Sequence, residues 1–154
     1  MTAARSRRPV RGPRPPLLRP FRYRALWIGL WLAAIAATIV VCLLPPPPVA
    51  VPQHFDKLEH VLGYTALSVG AVWLFAGMRG QCRAAAGLVA LGVALEWAQG
   101  ALTTTRLADP ADALANATGV LLGLAVTATP AARWLVRLDG RLVRGNRPRG
   151  TPPT

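Results

Sequence analysis

The twenty residues Ala25–Leu44, ALWIGLWLAAIAATIVVCLL, carry no charge, and their reading decides the fold. At about 1.5 Å of rise per residue they make a helix of roughly 30 Å, the thickness of a bilayer's hydrocarbon core. Trp27 and Trp31 sit near the end that follows an arginine-rich stretch, as an aromatic belt would place them. The four prolines Pro45–Pro48 then forbid continuation and favour a stiff extended connector. A signal-peptide apolar core is shorter and ends in a small-x-small cleavage site, which is missing here, so an uncleaved first span is expected.

Working outward, three more apolar stretches follow, at roughly 58–78, 84–102 and 112–129. The expectation is an all-α integral membrane bundle of four transmembrane helices covering residues 25–130. Residues 1–24, with five prolines among eight arginines, are expected as a basic disordered tail. Residues 131–154 form a second basic tail. There Arg133, Arg137, Arg141 and Arg144 recur at helical spacing opposite Trp134, Leu135, Leu138 and Leu142, which suggests a short interfacial helix.

Composition agrees with this class. Hydrophobic residues make up 53% of 154, too many for an ordinary soluble chain of this size. The net charge of +12 invites a nucleic-acid reading, but the tail arginines are not interleaved with stacking aromatics, so no nucleic-acid partner is expected. Sixteen of the 18 basic residues fall in the two tails and in the segment holding Arg79 and Arg83, which share one side of a four-span threading. Positive-inside counting then puts both termini in the cytoplasm of a plasma (inner) membrane protein, with membrane lipids as partners. Cys42 and Cys82 fall on opposite sides and are not expected to bridge.

The same threading gathers the remaining ionisable groups at the outer face. Asp56, Lys57 and His60 open the second stretch, and Glu96 and Gln99 close the third. Arg106, Asp109, Asp112 and Asn116 surround the start of the fourth. Capping explains part of this. Asp56 with Glu59, and Asp109-Pro110-Ala111-Asp112, both fit helix N-termini without any further role. Glu96 is harder to dismiss, because a charge at mid-span costs about 2.5–3.5 kcal/mol and normally turns inward to a partner. Arg106 is the expected cation for these acids. Two small-residue ridges, Gly63/Gly70/Gly77 and Ala115/Gly119/Gly123, would let the helices approach closely.

The pattern Asp56-Lys57-x-x-His60, Glu96-x-x-Gln99, then Arg106-x-x-Asp109-x-x-Asp112-x-x-x-Asn116-x-x-Gly119 resembles the VanZ-like family of small multi-span membrane proteins. The named member of that family is associated with teicoplanin resistance. The resemblance covers roughly residues 25–130 and implies that these nine polar residues are the family's motif positions; it names no reaction. Three functions compete. One is a non-catalytic site for a lipid head group, a lipid-linked envelope precursor or another membrane protein. The second is a membrane-embedded hydrolase or transferase with candidates His60, Glu96 and Asp112 as base, acid or orienting groups. A proton pathway through Glu96 is the weakest, because the cytoplasmic halves of the spans are almost wholly apolar. No cofactor is expected. There is no HExxH or Cys/His zinc spacing, although a His/carboxylate cluster suits a divalent metal.

Overall fold

The computed structural model describes residues 16–45, 55–102 and 109–145. Five α-helices carry it: α1 Arg24–Leu43, α2 Phe55–Leu74, α3 Met78–Leu102, α4 Pro110–Ala125 and α5 Trp134–Gly145. Two single 3-10 turns, Val126–Ala128 and Pro130–Arg133, lead from α4 into α5. Arg106, most of the proline connector and the outer parts of both tails lie outside the described residues.

Three helical stretches are long and apolar enough to cross a membrane: Arg24–Leu43, Met78–Leu102 and Pro110–Ala128. The fourth expected span, α2, is 20 residues long but opens with Asp56, Lys57, Glu59 and His60 and does not qualify on composition. α2 lies at the centre, packs most extensively against α4, and also touches α1, α3 and α5. Its inner half, from Tyr64 to Leu74, is the part these neighbours bury, whereas Asp56 and Glu59 at its start are exposed. The lipid-like exterior is supplied by the others. α1 has no buried residue, and Leu30, Val41, Trp97, Leu114 and Leu121 are all more than half exposed.

Close approach of α2 and α4 depends on two glycines. A Cβ on Gly119 would meet the Val61 carbonyl, Thr65 N at 3.0 Å and Tyr64 Cβ at 3.1 Å. One on Gly123 would lie 2.5 Å from Ser68 Cβ. Ser68 Oγ donates to the Val120 carbonyl at 2.8 Å, satisfying a buried hydroxyl across the same seam. The other ridge behaves differently. Gly63 and Gly77 face open space, whereas Gly70 receives the indole of Trp31, whose Nε1 donates to the Leu67 carbonyl at 2.9 Å. Trp31 is therefore a packing residue between α1 and α2. Tyr64, Leu67, Ala85, Leu88 and Val120 form the small core.

Several expected boundaries move. α2 ends at Leu74 and α3 starts at Met78, so Arg79 and Arg83 belong to the first turns of α3 and not to a loop. Gly77 makes the early break: its carbonyl accepts from Gln81 N, the opening bond of α3. Residues 16–23 were expected within the disordered tail, yet they dock. Arg19 N–H donates to the Leu74 carbonyl at 2.9 Å, and Ala76 N–H to the Leu17 carbonyl at 3.0 Å, a short antiparallel bridge over the α2–α3 turn. Asp56 lies inside the first turn of α2, so it is not the cap.

The helix expected near the C-terminus is present as α5, and it has three faces. Arg133, Arg137, Arg141 and Arg144 are exposed, Trp134 and Leu142 form an apolar edge, and Leu135 and Asp139 point inward. Asp139 is the residue that sequence reasoning missed. Its carboxylate accepts from Arg22 N at 2.7 Å, Tyr23 N at 3.1 Å and Trp27 Nε1 at 2.8 Å. Burial pushes this carboxyl up, but the three N–H donors outweigh it and hold Asp139 below the usual range. The segment before α1 is thereby tied to α5 at one end of the bundle.

Candidate functional site

At the opposite end, α2, α3 and α4 bring seven of the nine expected residues into one connected cluster, to which Gln99 is a close neighbour. The starting point is the N-terminus of α4. Asp109 is its cap, with extended backbone (φ −114°, ψ 112°), and its side chain accepts from Ala111 N at 2.8 Å. Pro110 follows at the first helical position, where a missing N–H costs nothing. The capping assignment at Asp109 thus holds. It does not exhaust the residue's role, because the other carboxylate oxygen, Oδ2, lies 2.7 Å from Lys57 Nζ.

Lys57 is the hub. Its ammonium also bonds Asp112 Oδ1 at 2.7 Å and stands 3.8 Å from Asp56 Oδ2. One lysine on α2 therefore clamps two carboxylates of α4. Lys57, together with the Ala111 N–H, holds the Asp109 carboxyl below its ordinary range. Arg106 was expected as the cation of this layer; among the described residues Lys57 fills that place. The physical reason is reach. A lysine in the first turn of α2 points its stem along the helix toward the start of α4, which the Gly119/Gly123 seam holds alongside.

One turn deeper, His60 Nδ1 is 3.0 Å from Asn116 Oδ1, and its Nε2 is 3.9 Å from Asp112 Oδ2. An amide oxygen only accepts, so the Asn116 contact calls for a proton on Nδ1, and Nε2 is the ring nitrogen that faces Asp112. The His60–Asp112 separation is too long for a hydrogen bond and suits a small atom held between them. Asn116 is itself buried and pinned against Gly92, whose Cβ position lies 3.0 Å from Asn116 Cβ.

Glu96 approaches from α3. It is 6% exposed; Oε2 accepts a long 3.4 Å bond from Asp109 N, and Oε1 is buried without a hydrogen-bond partner. An orphaned buried carboxylate oxygen is rare and points to a role other than packing. His60, Glu96 and Asp112 each offer a ligand atom, and the three atoms lie within 4.8 Å of one another. Ligands around a small divalent cation lie about 3–3.5 Å apart, so a contraction of roughly an ångström would let them hold one, with Asn116 orienting the imidazole from behind. Gln99 shares the face of Glu96 but is turned elsewhere: its Nε2 donates to the Cys42 carbonyl at 2.8 Å, linking α3 to the end of α1.

Beside the cluster, a cavity of about 270 Å³ runs between α1 and α2. Thr38 and Val41 line it from α1, and Glu59, His60, Gly63 and Tyr64 from α2. It is apolar along most of its length and polar where His60 and Glu59 enter. The buried Tyr64 hydroxyl, without a hydrogen-bond partner, borders the same space. Five of the six acidic residues in the sequence lie at this end, against Lys57 and His60. The described part of the site therefore favours a cation, or an amide- and hydroxyl-rich group, over a bare anion.

No protein family matches the chain, no match is found among curated proteins, and no solved structure is similar to it.

Proposed function

We propose that this is a multi-pass membrane protein of VanZ-like type, in which α2 joins the three apolar helices to make four spans. Both termini lie on the cytoplasmic side, and the polar cluster faces outward. The shared end of the segment before α1, the α2–α3 turn and α5 supports an even number of crossings, and the basic excess at that end supports its being cytoplasmic. In this reading the cluster binds a lipid-linked component of the cell envelope.

The observation that carries the proposal is the continuity of an apolar groove with a hydrogen-bonding cluster at His60. A hydrocarbon chain fits the walls formed by Thr38, Val41 and Gly63. A polar head group then meets Glu59 and His60, with Glu96 close to His60 in the cluster behind them. Gly63 provides the test, since it lines the groove and a Cβ there meets nothing within 4 Å, so a larger side chain can start into that space without a backbone clash. Lipids co-purifying with the wild-type chain in mild detergent are compared by mass spectrometry with those of Gly63→Leu and Glu96→Gln. A lipid-linked species retained by wild type and lost from both variants is expected. An identical lipid profile in all three proteins would overturn the reading.

The spacing of His60 Nε2, Glu96 and Asp112 favours a second reading, in which a divalent metal at that triad activates water or holds a phosphate for hydrolysis or transfer. Metal content of the purified chain, measured against His60→Ala, separates the two. A stoichiometric divalent ion that disappears with His60 favours the catalytic reading.

A further inference from the structure

The end of the bundle away from the His60 cluster holds a second polar cavity, of about 420 Å³. Arg19 enters it from the docked N-terminal segment, Gln81 from α3, Thr127 and Thr129 from the 3-10 turns, and Arg133 and Arg137 from the run into α5. Three guanidinium groups from two distant segments thus converge on one space.

Among the described residues nothing neutralises them. The sequence has six acidic residues, of which five belong to the other end. The sixth, Asp139, is occupied by Arg22 N, Tyr23 N and the Trp27 indole. Gln81 is also committed, donating to the Phe75 carbonyl and accepting from Thr127. Arg19 spends one nitrogen on the Val72 carbonyl at 3.3 Å, while its Nε is buried with no acceptor. Burial, and then the charge of Arg133, both disfavour the charged form of Arg19. A buried donor without an acceptor and like charges facing across a polar space both call for an anion.

The rim says where that anion comes from. Leu17 and Met78 are 60% and 56% exposed, and Trp134 is 48% exposed, so apolar surface flanks the arginines at the level where a membrane interface would lie. We propose that the cavity is a phosphate site occupied by the head group of an anionic phospholipid of the adjoining leaflet. Arg19 and Arg133 grip the phosphate, and the acyl chains run along the apolar rim. Basic pockets of this kind between membrane helices and a surface helix recognise anionic lipids through charge-assisted hydrogen bonds. The site is separate from the His60 cluster and rests on the first proposal only for the membrane-spanning arrangement, not for what the cluster binds.

The test uses the full chain in dodecyl maltoside, with binding of phosphatidylglycerol, phosphatidylcholine and inorganic phosphate followed by native mass spectrometry. Arg133→Gln/Arg137→Gln removes two exposed side chains of the cavity; Arg141→Gln/Arg144→Gln removes the same charge from α5 outside it. Arg19→Gln serves as a third variant. Phosphatidylglycerol binding is expected to exceed that of phosphatidylcholine, to fall at least tenfold in Arg133→Gln/Arg137→Gln and in Arg19→Gln, and to persist in the control pair. Competition by millimolar phosphate would support recognition through the phosphate itself. Equal losses in both pairs would reduce the effect to diffuse basic attraction and overturn the site. Binding of inorganic phosphate that phosphatidylglycerol fails to displace would assign the cavity to a soluble anion and overturn the lipid.

Discussion

Gly119→Ala adds one methyl group at the tightest point between α2 and α4, where its Cβ would run into the Val61 carbonyl and stand 3.0 Å from Thr65 N. Backbone atoms of α2 are in the way, so no side chain can rotate to relieve the contact. Overpacking of a tight interior site costs about 1–3 kcal/mol, and a backbone obstacle belongs at the upper end. Alanine recovers roughly 1 kcal/mol of helix propensity over glycine. The net loss is then about 1–2 kcal/mol. Gly63→Ala is the control, because the same methyl group at Gly63 meets nothing within 4 Å and gains about 0.5–1 kcal/mol. The two variants should differ by roughly 1.5–3 kcal/mol, on the order of 10- to 150-fold in the unfolding equilibrium. Unfolding by SDS titration in dodecyl maltoside, followed by tryptophan fluorescence, measures it. Widening the seam also draws Asn116, one turn from Gly119, away from His60, so site binding should weaken in Gly119→Ala. Equal midpoints for the two variants would refute the glycine seam as the element that sets the distance between α2 and α4.

Other outcomes follow from the same geometry. Glu96→Gln relieves a buried, half-satisfied carboxylate, so stability should hold or rise in the SDS titration while retention of the bound lipid is lost; a variant that binds normally would make Glu96 structural. Lys57→Met removes the clamp on Asp109 and Asp112, and the start of α4 should become more accessible to hydrogen exchange from Asp112 through Asn116, with α5 unaffected. Asp139→Asn keeps the shape but halves the accepting capacity, and should loosen the segment before α1, seen as a red shift of Trp27 emission. The acid side carries the same signature. The folded-state pKa of Asp139 lies below the ordinary aspartate value of about 3.9, so its stabilisation is complete above that value and is lost as pH falls through the depressed one. Trp27 emission should therefore stay constant from neutral pH down to about 4 and change only below it. In Asp139→Asn that transition should vanish.

Much of this molecule follows from local pattern. A run of twenty uncharged residues, proline stops and glycine breaks define helices by length and hydropathy, because an unpaired backbone is intolerable in hydrocarbon. The cap at Asp109 is equally local, since a side chain reaches its own helix's free N–H groups whatever surrounds it. The stripe Asp56–His60 and the step from Asp112 to Asn116 follow from 3.6-residue periodicity, and they place these residues on shared faces before any packing is known.

Tertiary structure decided which faces meet. Among the described residues Lys57 is the cation at Asp109 and Asp112, and sequence spacing did not point to it, because a salt bridge depends on the register between helices, which no periodicity reports. Asp139, a single acid among the arginines of the C-terminal segment, is the anchor of the N-terminal segment only because three N–H groups converge on it. Of two similar glycine ridges, one makes the α2–α4 seam, and only Gly70 of the other is used, by Trp31. The reason is common to all three. Helix formation is governed by contacts within one turn, whereas the meeting of side chains 50 or 100 positions apart depends on how closely backbones can pack, to a fraction of an ångström.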